Sequence, residues 1–499
     1  MSWLWLVVPA LGWLALWWAG RLPRRRDRPA SAAYDDTADT ALGRAVAMAA
    51  AANPGLSGVR LVSDPADALN SRLALVAAAE RCIDIQYYIW RADASGRQLL
   101  AALRAAADRG VRVRLLLDDN GIGGLDQLLA ALDSHAGVEI RLFNPFVIRR
   151  PKVVGYLTDF PRLNRRMHNK SMTVDNQVTI IGGRNIGDEY FGRHAQEQVA
   201  DLDVLAVGAI VPMVSADFDR YWACRSAWPT TRILPPATLG SDLALSDDPG
   251  AAASMPDLAE GLEWVPVWMV SDDPAKGLGR ARTRGLIGTR LRAAIGQPRH
   301  RLGLVSPYFV PTDSGVTSLA ALTAAGVSVD VLTNSLKANN VAVVHAGYAP
   351  SRRPLLRAGV RLWELKGAHP EKRARLKLRR GVVRGSAFKS SGTALHAKTF
   401  TVDGEKMFVG SLNLDPRSAR LNTEIGFVIE SRTLAAGLQG FFDGDIAQAA
   451  YEVKLDGRRL RWIERDGDRT IIHDHEPGTG PLQRAVIWVA SHLPAKWLL

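Results

Sequence analysis

The chain has 499 residues, 47% of them hydrophobic and 23% charged, which suits two folded domains with sizeable cores and excludes wholesale disorder. A mean hydropathy of −0.04 excludes a multi-span membrane protein, and two cysteines, Cys82 and Cys224, are too few for a disulfide framework or a cysteine-held structural zinc. Lysine and arginine outnumber the acids 63 to 50, for a net charge of +13, so an anionic partner is expected: phospholipid headgroups or nucleic acid.

From Met1 to Gly20 there is no charged side chain, and Trp3, Trp5, Trp13, Trp17 and Trp18 stud the stretch. Arg21, Arg24, Arg25, Arg26 and Arg28 follow it closely. A secretory signal carries its charge before the apolar run, not after it. About 20 apolar residues are needed to cross a bilayer, so residues 1–20 are expected to form an uncleaved, single-pass N-terminal transmembrane helix. Residues 21–54 then make a basic tether, and the positive-inside rule puts the body on the cytoplasmic side. Cys82 opens an apolar run and Cys224 follows Tyr221-Trp222, so both are expected to be buried packing residues.

The body contains an internal repeat. IDIQYYIWRADASGRQLLAAL from Ile83 parallels LGLVSPYFVPTDSGVTSLAAL from Leu302: an apolar strand, Ser95-Gly96 or Ser314-Gly315, then an amphipathic helix. Gly110 and Gly326 lead into second strands (VRVRLLLDDN, VSVDVLTNS), and third strands follow (VEIRLFNPF, VRLWELK). Strands alternating with helices imply βαβ units. The predicted fold is α/β: two repeated domains with mixed, mostly parallel sheets about a pseudo-twofold axis, residues 55–233 and 261–499, joined by a Pro/Ala/Ser/Asp-rich linker over 234–260.

Each half ends in the same constellation. His168, Lys170, Asp175 and Gly182-Gly183-Arg184-Asn185 match His396, Lys398, Asp403 and Gly410-Ser411-Leu412-Asn413, with steps of two, five, seven and three residues in both. On an extended strand, residues two apart share a face, so each His and Lys project together. Lysines can hold the non-bridging oxygens of a phosphate and asparagines add hydrogen bonds. Two histidines allow one to attack phosphorus while the other protonates the leaving oxygen. A lone His-x-Lys pair is usually a solvated strand edge; two in phase with an independent repeat point to catalysis of phosphodiester transfer. Asp175 and Asp403 fall on the opposite strand face and are expected to support the fold. The acids that lead the next strands, Asp201 in ADLDVLAVG and Glu424 in NTEIGFVIE, are candidates to orient the histidines. Asp203 is a second choice in the first half.

HNKSMTVD and HAKTFTVD resemble the HKD motifs of the phospholipase D superfamily, and GSLN continues the second. IQYYIW, RVRLLLDDN, GGRNIGDEYFG, SDDPAKG, VAVVHAGYA and GSLNLDPRSARLNTEIGFVIES resemble bacterial cardiolipin synthases within it, from about residue 55 to the end. The resemblance makes His168, Lys170, Asp175, His396, Lys398 and Asp403 the catalytic set. His168 is the implied nucleophile and His396 the acid and base, with Asn185, Asn413 and Ser411 on the phosphate. Gly183 stands where the superfamily usually has serine, so the first half loses a hydroxyl that could touch phosphate.

What this implies is a phosphatidyltransferase that makes cardiolipin from phosphatidylglycerol and a second phospholipid, such as phosphatidylethanolamine, through a phosphatidyl-histidine. The alternatives are a phospholipase D passing the phosphatidyl group to water, a nuclease (which would explain the charge but not the apolar N-terminus) and an inactive lipid-binding module. No metal or other cofactor is expected, because the lysines supply positive charge at the phosphate. The implied place is the bacterial inner membrane; a protein partner is left open. Arg149, Arg150, Lys152, Arg162, Arg165 and Arg166 around Tyr156 and Phe160, with Lys372, Arg373, Arg375, Lys377, Arg379, Arg380, Arg384 and Lys389, read as a rim for anionic lipid. The C-terminal LQRAVIWVASHLPAKWLL, with Arg484, Trp488, Lys496 and Trp497, reads either as an interfacial helix or as one docked on the body.

Overall fold

The computed structural model of the chain describes residues 4–23, 30–193, 199–238, 261–339, 341–367 and 394–492. In the first half nine strands form one sheet, in the order Glu263–Val265, Ser57–Val62, Asp203–Gly208, Val178–Gly182, Ser171–Val174, Cys82–Ile89, Arg112–Gly121, Val138–Phe143, Ala227–Pro229. Ten strands form the second, in the order Val267–Ser271, Ile425–Glu430, Lys406–Gly410, Thr399–Val402, Arg301–Val305, Ser328–Asn334, Arg361–Leu365, Ala450–Asp456, Arg459–Asp466, Arg469–His473.

Both sheets are mixed, but the expectation that they are mostly parallel fails. Only Cys82–Ile89, Arg112–Gly121 and Val138–Phe143 run parallel in the first, and Arg301–Val305, Ser328–Asn334 and Arg361–Leu365 in the second. Those strands are joined by helical crossovers, which parallel pairing needs. Helix Ala94–Asp108 is one: Asp93 caps it by accepting from Gly96 N, and Leu99, Leu100 and Leu103 are fully buried along one face. Thr312 caps helix Asp313–Ala324 in the same way, accepting from Gly315 N. Burial of each leucine contributes roughly 1.5–3 kcal/mol. The motif strands instead follow each other through tight turns, which force antiparallel pairing.

The division between halves also differs from expectation. Glu263–Val265 pairs with Ser57–Val62 of the first sheet, whereas Val267–Ser271 pairs with the second, so the chain changes sheets at Pro266 rather than before residue 261. Residues 239–260 of the expected linker lie outside the described residues. The two sheets face each other across a shared apolar core, with Ile181, Val204 and Ala206 on one side and Met407, Val409 and Phe427 on the other.

The segment read as a tether is partly core. Thr40 caps helix Ala41–Ala52, whose Leu42 and Val46, one turn apart, enter the core of the first half. Ser31 accepts from Trp222 Nε1 at 2.9 Å and its carbonyl from Arg114 Nη1 at 3.0 Å. An N-terminal helix, Leu4–Ala19, is present, but among the described residues no helix is long and apolar enough to cross a membrane. Cys82 is buried, with its thiol pushed up to about 12 chiefly by burial, whereas Cys224 is only half-buried.

Asp175 and Asp403 occupy the turns after the motif strands, with φ of +49° and +55°, a region aspartate tolerates better than most residues. Asp175 accepts from the backbone amides of Glu80, Arg81 and Cys82 at 2.7–2.9 Å. Asp403 does the same for Arg299, His300 and Arg301. Although partial burial raises it, these amides hold the Asp403 carboxyl below the usual carboxylate range. Each aspartate therefore pins its turn to the start of the strand beside its own, Cys82–Ile89 in the first sheet and Arg301–Val305 in the second. Asp175→Ala is expected to lower unfolding stability by about 3 kcal/mol, since three amides lose a charged acceptor. The specific activity of the molecules that stay folded should be unchanged, measured by chemical denaturation and by turnover normalised to folded protein.

Candidate active site

The site forms where each half hands a loop to the other. Arg166 is buried and donates to Asp118 through Nε at 2.8 and 3.0 Å, and Met167 N donates to the same carboxylate at 2.7 Å. Asp118 lies in the strand Arg112–Gly121, so this ion pair sets the course of the chain into His168. His168 N then donates to Thr423 O (2.9 Å), and Thr423 N to Arg166 O (2.9 Å). In the other half, His396 N donates to Ala200 O at 2.7 Å, beside a short parallel pairing of Val199–Ala200 with Ala394–Leu395.

The histidines and lysines lie in extended segments just before the strands Ser171–Val174 and Thr399–Val402 rather than within them. His168 Nδ1 is 2.8 Å from Glu424 Oε2, and His396 Nδ1 is 2.5 Å from Asp201 Oδ2. Asp201 and Glu424, the candidate orienting acids, thus each hold the Nδ1 of the histidine of the opposite half, a pairing that the sequence did not specify. Asp203 is not at a histidine; it pairs with Arg72 at 2.8 Å and Arg184 at 3.3 Å.

Ser411 is also not where it was expected. Its hydroxyl donates to Glu424 Oε2 at 2.5 Å and accepts from Ile425 N at 3.0 Å, while Ser418 donates to Glu424 Oε1 at 2.7 Å. At the equivalent point of the first half, a Cβ on Gly183 would lie 2.1 Å from Asp201 Oδ1. That oxygen accepts from Leu202 N at 2.8 Å, the bond Ser411 makes to Ile425 N in the other half. Glycine with aspartate and serine with glutamate are two solutions to one packing problem. In the first half the acid is thus held without the hydroxyl that Ser411 supplies in the second.

Lys170 Nζ donates to His168 O at 2.6 Å, and Lys398 Nζ to His396 O; Lys398 also lies 3.1 Å from His396 Nδ1. Asn185 donates to the Tyr190 hydroxyl at 3.0 Å and accepts from Ile89 N at 3.2 Å. Asn413 presents a buried amide oxygen with no partner among the described residues. Tyr88 and Tyr190, which the sequence reading missed, stand edge-on to His168 and His396 at 4.9 and 5.3 Å between ring centres. Each lies in a segment already noted as repeated or motif-bearing, and nothing local distinguishes it from a core tyrosine.

Burial, reinforced by the lysines, lowers both histidines, His168 well below its ordinary range and His396 to about 4. Burial lowers Lys170 strongly and Lys398 to about 8. Glu424 is pushed up by burial to about 7, although Lys170, Ser411 and Ser418 oppose the rise. Burial also raises Asp201, but His396, Lys398 and Arg184 more than reverse it and hold it well below the carboxylate range. With Nδ1–H committed to a carboxylate, Nε2 is the nitrogen left for chemistry in each neutral ring. An anion placed among these groups favours the charged lysines and protonation of one imidazole.

The first basic loop is largely neutralised. Arg149 and Lys152 pair with Asp119, Arg162 with Asp159 and Arg166 with Asp118, so four of its six cations serve the fold. Lys372, Arg373, Arg375, Lys377, Arg379, Arg380, Arg384 and Lys389 lie outside the described residues. The C-terminal helix Pro481–Ser491 docks on helix Ala342–Tyr348, burying Ile487 against Leu336 and Ala346. It leaves Leu482, Val486, Trp488 and Val489 exposed; Lys496 and Trp497 lie outside the described residues.

Histidine-resolved NMR of the ligand-free protein should find His168 and His396 neutral with Nδ1 protonated at pH 6.5, since both are lowered. Protonation of either ring at its ordinary value would contradict this account of the site.

Residues 73–222 and 291–446 match a family model described as cardiolipin synthase, PLD-like domain, one segment in each half. Cardiolipin synthase C of Escherichia coli (strain K12) is 46% identical over 477 residues, covering 92% of this chain and 99% of its own. Cardiolipin synthase A of Pseudomonas putida (strain GB-1) is 29% identical over 402 residues, covering 79% and 70%. The crystal structure of phosphatidylserine synthase from Haemophilus influenzae Rd KW20 superposes with a TM-score of 0.58 at 14% identity, covering 92% of this chain and all of that one, which shows a shared fold. A duplicated His-x-Lys motif, its crossed carboxylates and a near full-length match agree: the chain belongs to the phospholipase D-like cardiolipin synthase family.

Proposed function

We propose that the protein is a phosphatidyltransferase that makes cardiolipin. His168 Nε2 attacks the phosphorus of a donor phospholipid, either phosphatidylglycerol or phosphatidylethanolamine. A P–N bond forms, the P–O bond to the headgroup alcohol breaks, and His396 gives its proton to the departing oxygen. A hydroxyl of phosphatidylglycerol then loses its proton to His396, attacks the same phosphorus and releases His168. Lys170 and Lys398 hold the non-bridging oxygens, with Asn185 and Asn413 beside them. Glu424 and Asp201 fix the tautomers. Asp175, Asp403 and Ser411 act through the fold and through Glu424, not on the phosphate.

The observation that carries this reading is the pair of imidazoles, His168 buried and His396 half-buried, each tied at Nδ1 to a carboxylate of the other half and each accompanied by a buried lysine. Attachment to the bacterial inner membrane, with the body on the cytoplasmic side, is part of the proposal. It is supported by the absence of charge in residues 1–20, by the exposed Trp18 and by Arg21 stacked 3.7 Å from the Trp17 ring centre. The helix Leu4–Ala19 covers about 24 Å at 1.5 Å per residue, less than a ~30 Å hydrocarbon core, so a full crossing would need its flanking residues. The exposed apolar side of the C-terminal helix supports a second contact with the bilayer surface.

Purified full-length protein given labelled phosphatidylglycerol, with and without phosphatidylethanolamine, should yield labelled cardiolipin, and His168→Ala and His396→Ala should abolish it. Phosphatidic acid as the sole product would replace the transferase with a hydrolase; no lipid turnover would overturn the proposal.

The pH dependence of kcat/KM reports the free enzyme, and with a nitrophenyl phosphodiester donor no proton from the neutral His396 is needed for the first step. Glu424 must be ionised, so activity should fall as pH drops below about 7; Lys398 must be charged, so it should fall as pH rises above about 8. Glu424→Gln should lower activity and remove the acid limb while leaving the alkaline one.

A further inference from the structure

Lys276 lies outside both motifs, in a short 3-10 helix, Pro274–Leu278, capped by Asp273. It is 2% exposed. Its ammonium donates to Asp272 Oδ2 at 2.8 Å and to Ser418 O at 2.8 Å. Both partners lead directly to Glu424. Asp272 Oδ2 also accepts from Glu424 N at 3.0 Å, and the Ser418 hydroxyl donates to Glu424 Oε1 at 2.7 Å. One buried cation thus grips Glu424 at its backbone through an aspartate and at its carboxylate through a serine. Asp272 is fixed in turn by Ile287 N at 2.8 Å, and Ser418 N by Asp415 Oδ1 at 2.7 Å.

Among the described residues of the first half no lysine takes the equivalent place; there Arg184 donates to Asp201 O at 2.9 Å and Leu202 N to its carboxylate. A buried lysine is costly to desolvate, and replacing a buried ion pair with apolar packing is often neutral or stabilising. Support of Glu424 is a use that the fold alone does not require.

We propose that Lys276 is a positioning residue for His168, acting through Asp272, Ser418 and Glu424 to keep the Nδ1 acceptor in place and ionised. This rests on the reading of His168 as the reacting imidazole. Six charged or titratable groups face Glu424: His168, Lys170 and Lys398 across the site, and Lys276, Asp272 and Asp415 behind it. Burial raises Glu424, and Lys170, Ser411, Ser418 and Lys276 restrain the rise. Without the Lys276 charge or the Ser418 hydroxyl, Glu424 holds its proton to higher pH and His168 loses an anionic acceptor.

The test is the pH profile of kcat/KM for nitrophenol release from a nitrophenyl phosphodiester donor, whose leaving group needs no proton from His396, by full-length wild type, Lys276→Met and Ser418→Ala. The acid limb should move to higher pH in both variants, further in Lys276→Met. For a shift of about one unit, the deficit against wild type is about tenfold at low pH and closes toward pH 8.5. The deficit should appear in kcat, with KM within about twofold, because Lys276 and Ser418 tune Glu424 from behind rather than bind substrate. A deficit of the same factor at every pH, or an acid limb that does not move in Ser418→Ala, would overturn the proposal. Should Lys276→Met not fold, the limb of Ser418→Ala decides alone. Wild type that makes no cardiolipin would defeat the reaction reading, an outcome separate from a wild-type enzyme with unmoved variants.

Discussion

The contact on which the rest of the molecule depends is the crossed hydrogen bond between each motif histidine and a carboxylate of the opposite half. His168 lies 256 residues from Glu424 in the chain and His396 lies 195 residues from Asp201. Neither half can orient its own imidazole, so the duplicated domain works only as a pair. Reciprocal contacts of this kind are what a twofold relation between like surfaces produces. The backbone bonds His168 to Thr423 and His396 to Ala200 repeat the exchange. The apolar core between the sheets holds the two motif loops in register, which makes inter-sheet packing as relevant to the site as any polar residue.

Electrostatics gives the ligand-free site an evident deficit. Two lysines and two imidazoles share a buried centre, and burial lowers all four. A bound phosphodiester supplies the missing negative charge, so binding of the anion and charging of the lysines are coupled. The two carboxylates are not equivalent. Asp201 is kept ionised by cations around it, whereas Glu424 lies near its midpoint at neutral pH, with serines and Lys276 restraining it. The half that supports His168 is therefore the more sensitive to proton concentration.

Much of this was legible in the sequence because the signals are local. Identical spacing from His to Asn in the two halves, and helices that bury one face between strands, need no knowledge of tertiary contacts. Asp201 and Glu424 could be singled out because each leads a strand after a motif, but their exchange between halves could not. That depends on how two surfaces meet, which no spacing encodes. Ser411 was misassigned for the same reason: a hydroxyl next to a phosphate motif and one next to a carboxylate look alike until the glutamate is placed. The basic loop around Arg162 seemed free because Asp118 and Asp119, which hold Arg166, Arg149 and Lys152, lie some 30 to 50 residues earlier. Leu42 and Val46 were read as part of a tether because an alanine-rich helix offers little hydrophobic contrast.

Crossed support makes a claim that no symmetric model of the site shares: loss of Glu424 and loss of Asp201 should stop different steps. The measurement is single-turnover labelling with a nitrophenyl phosphodiester donor, whose leaving group needs little protonation, read by mass spectrometry of the quenched enzyme. Asp201→Asn should accumulate an adduct on His168 at a stoichiometry near one, because attack proceeds and His396 cannot activate the acceptor. Glu424→Gln should form almost none. The reverse pattern, or an adduct on His396, would contradict the assignment of Glu424 to the attacking histidine.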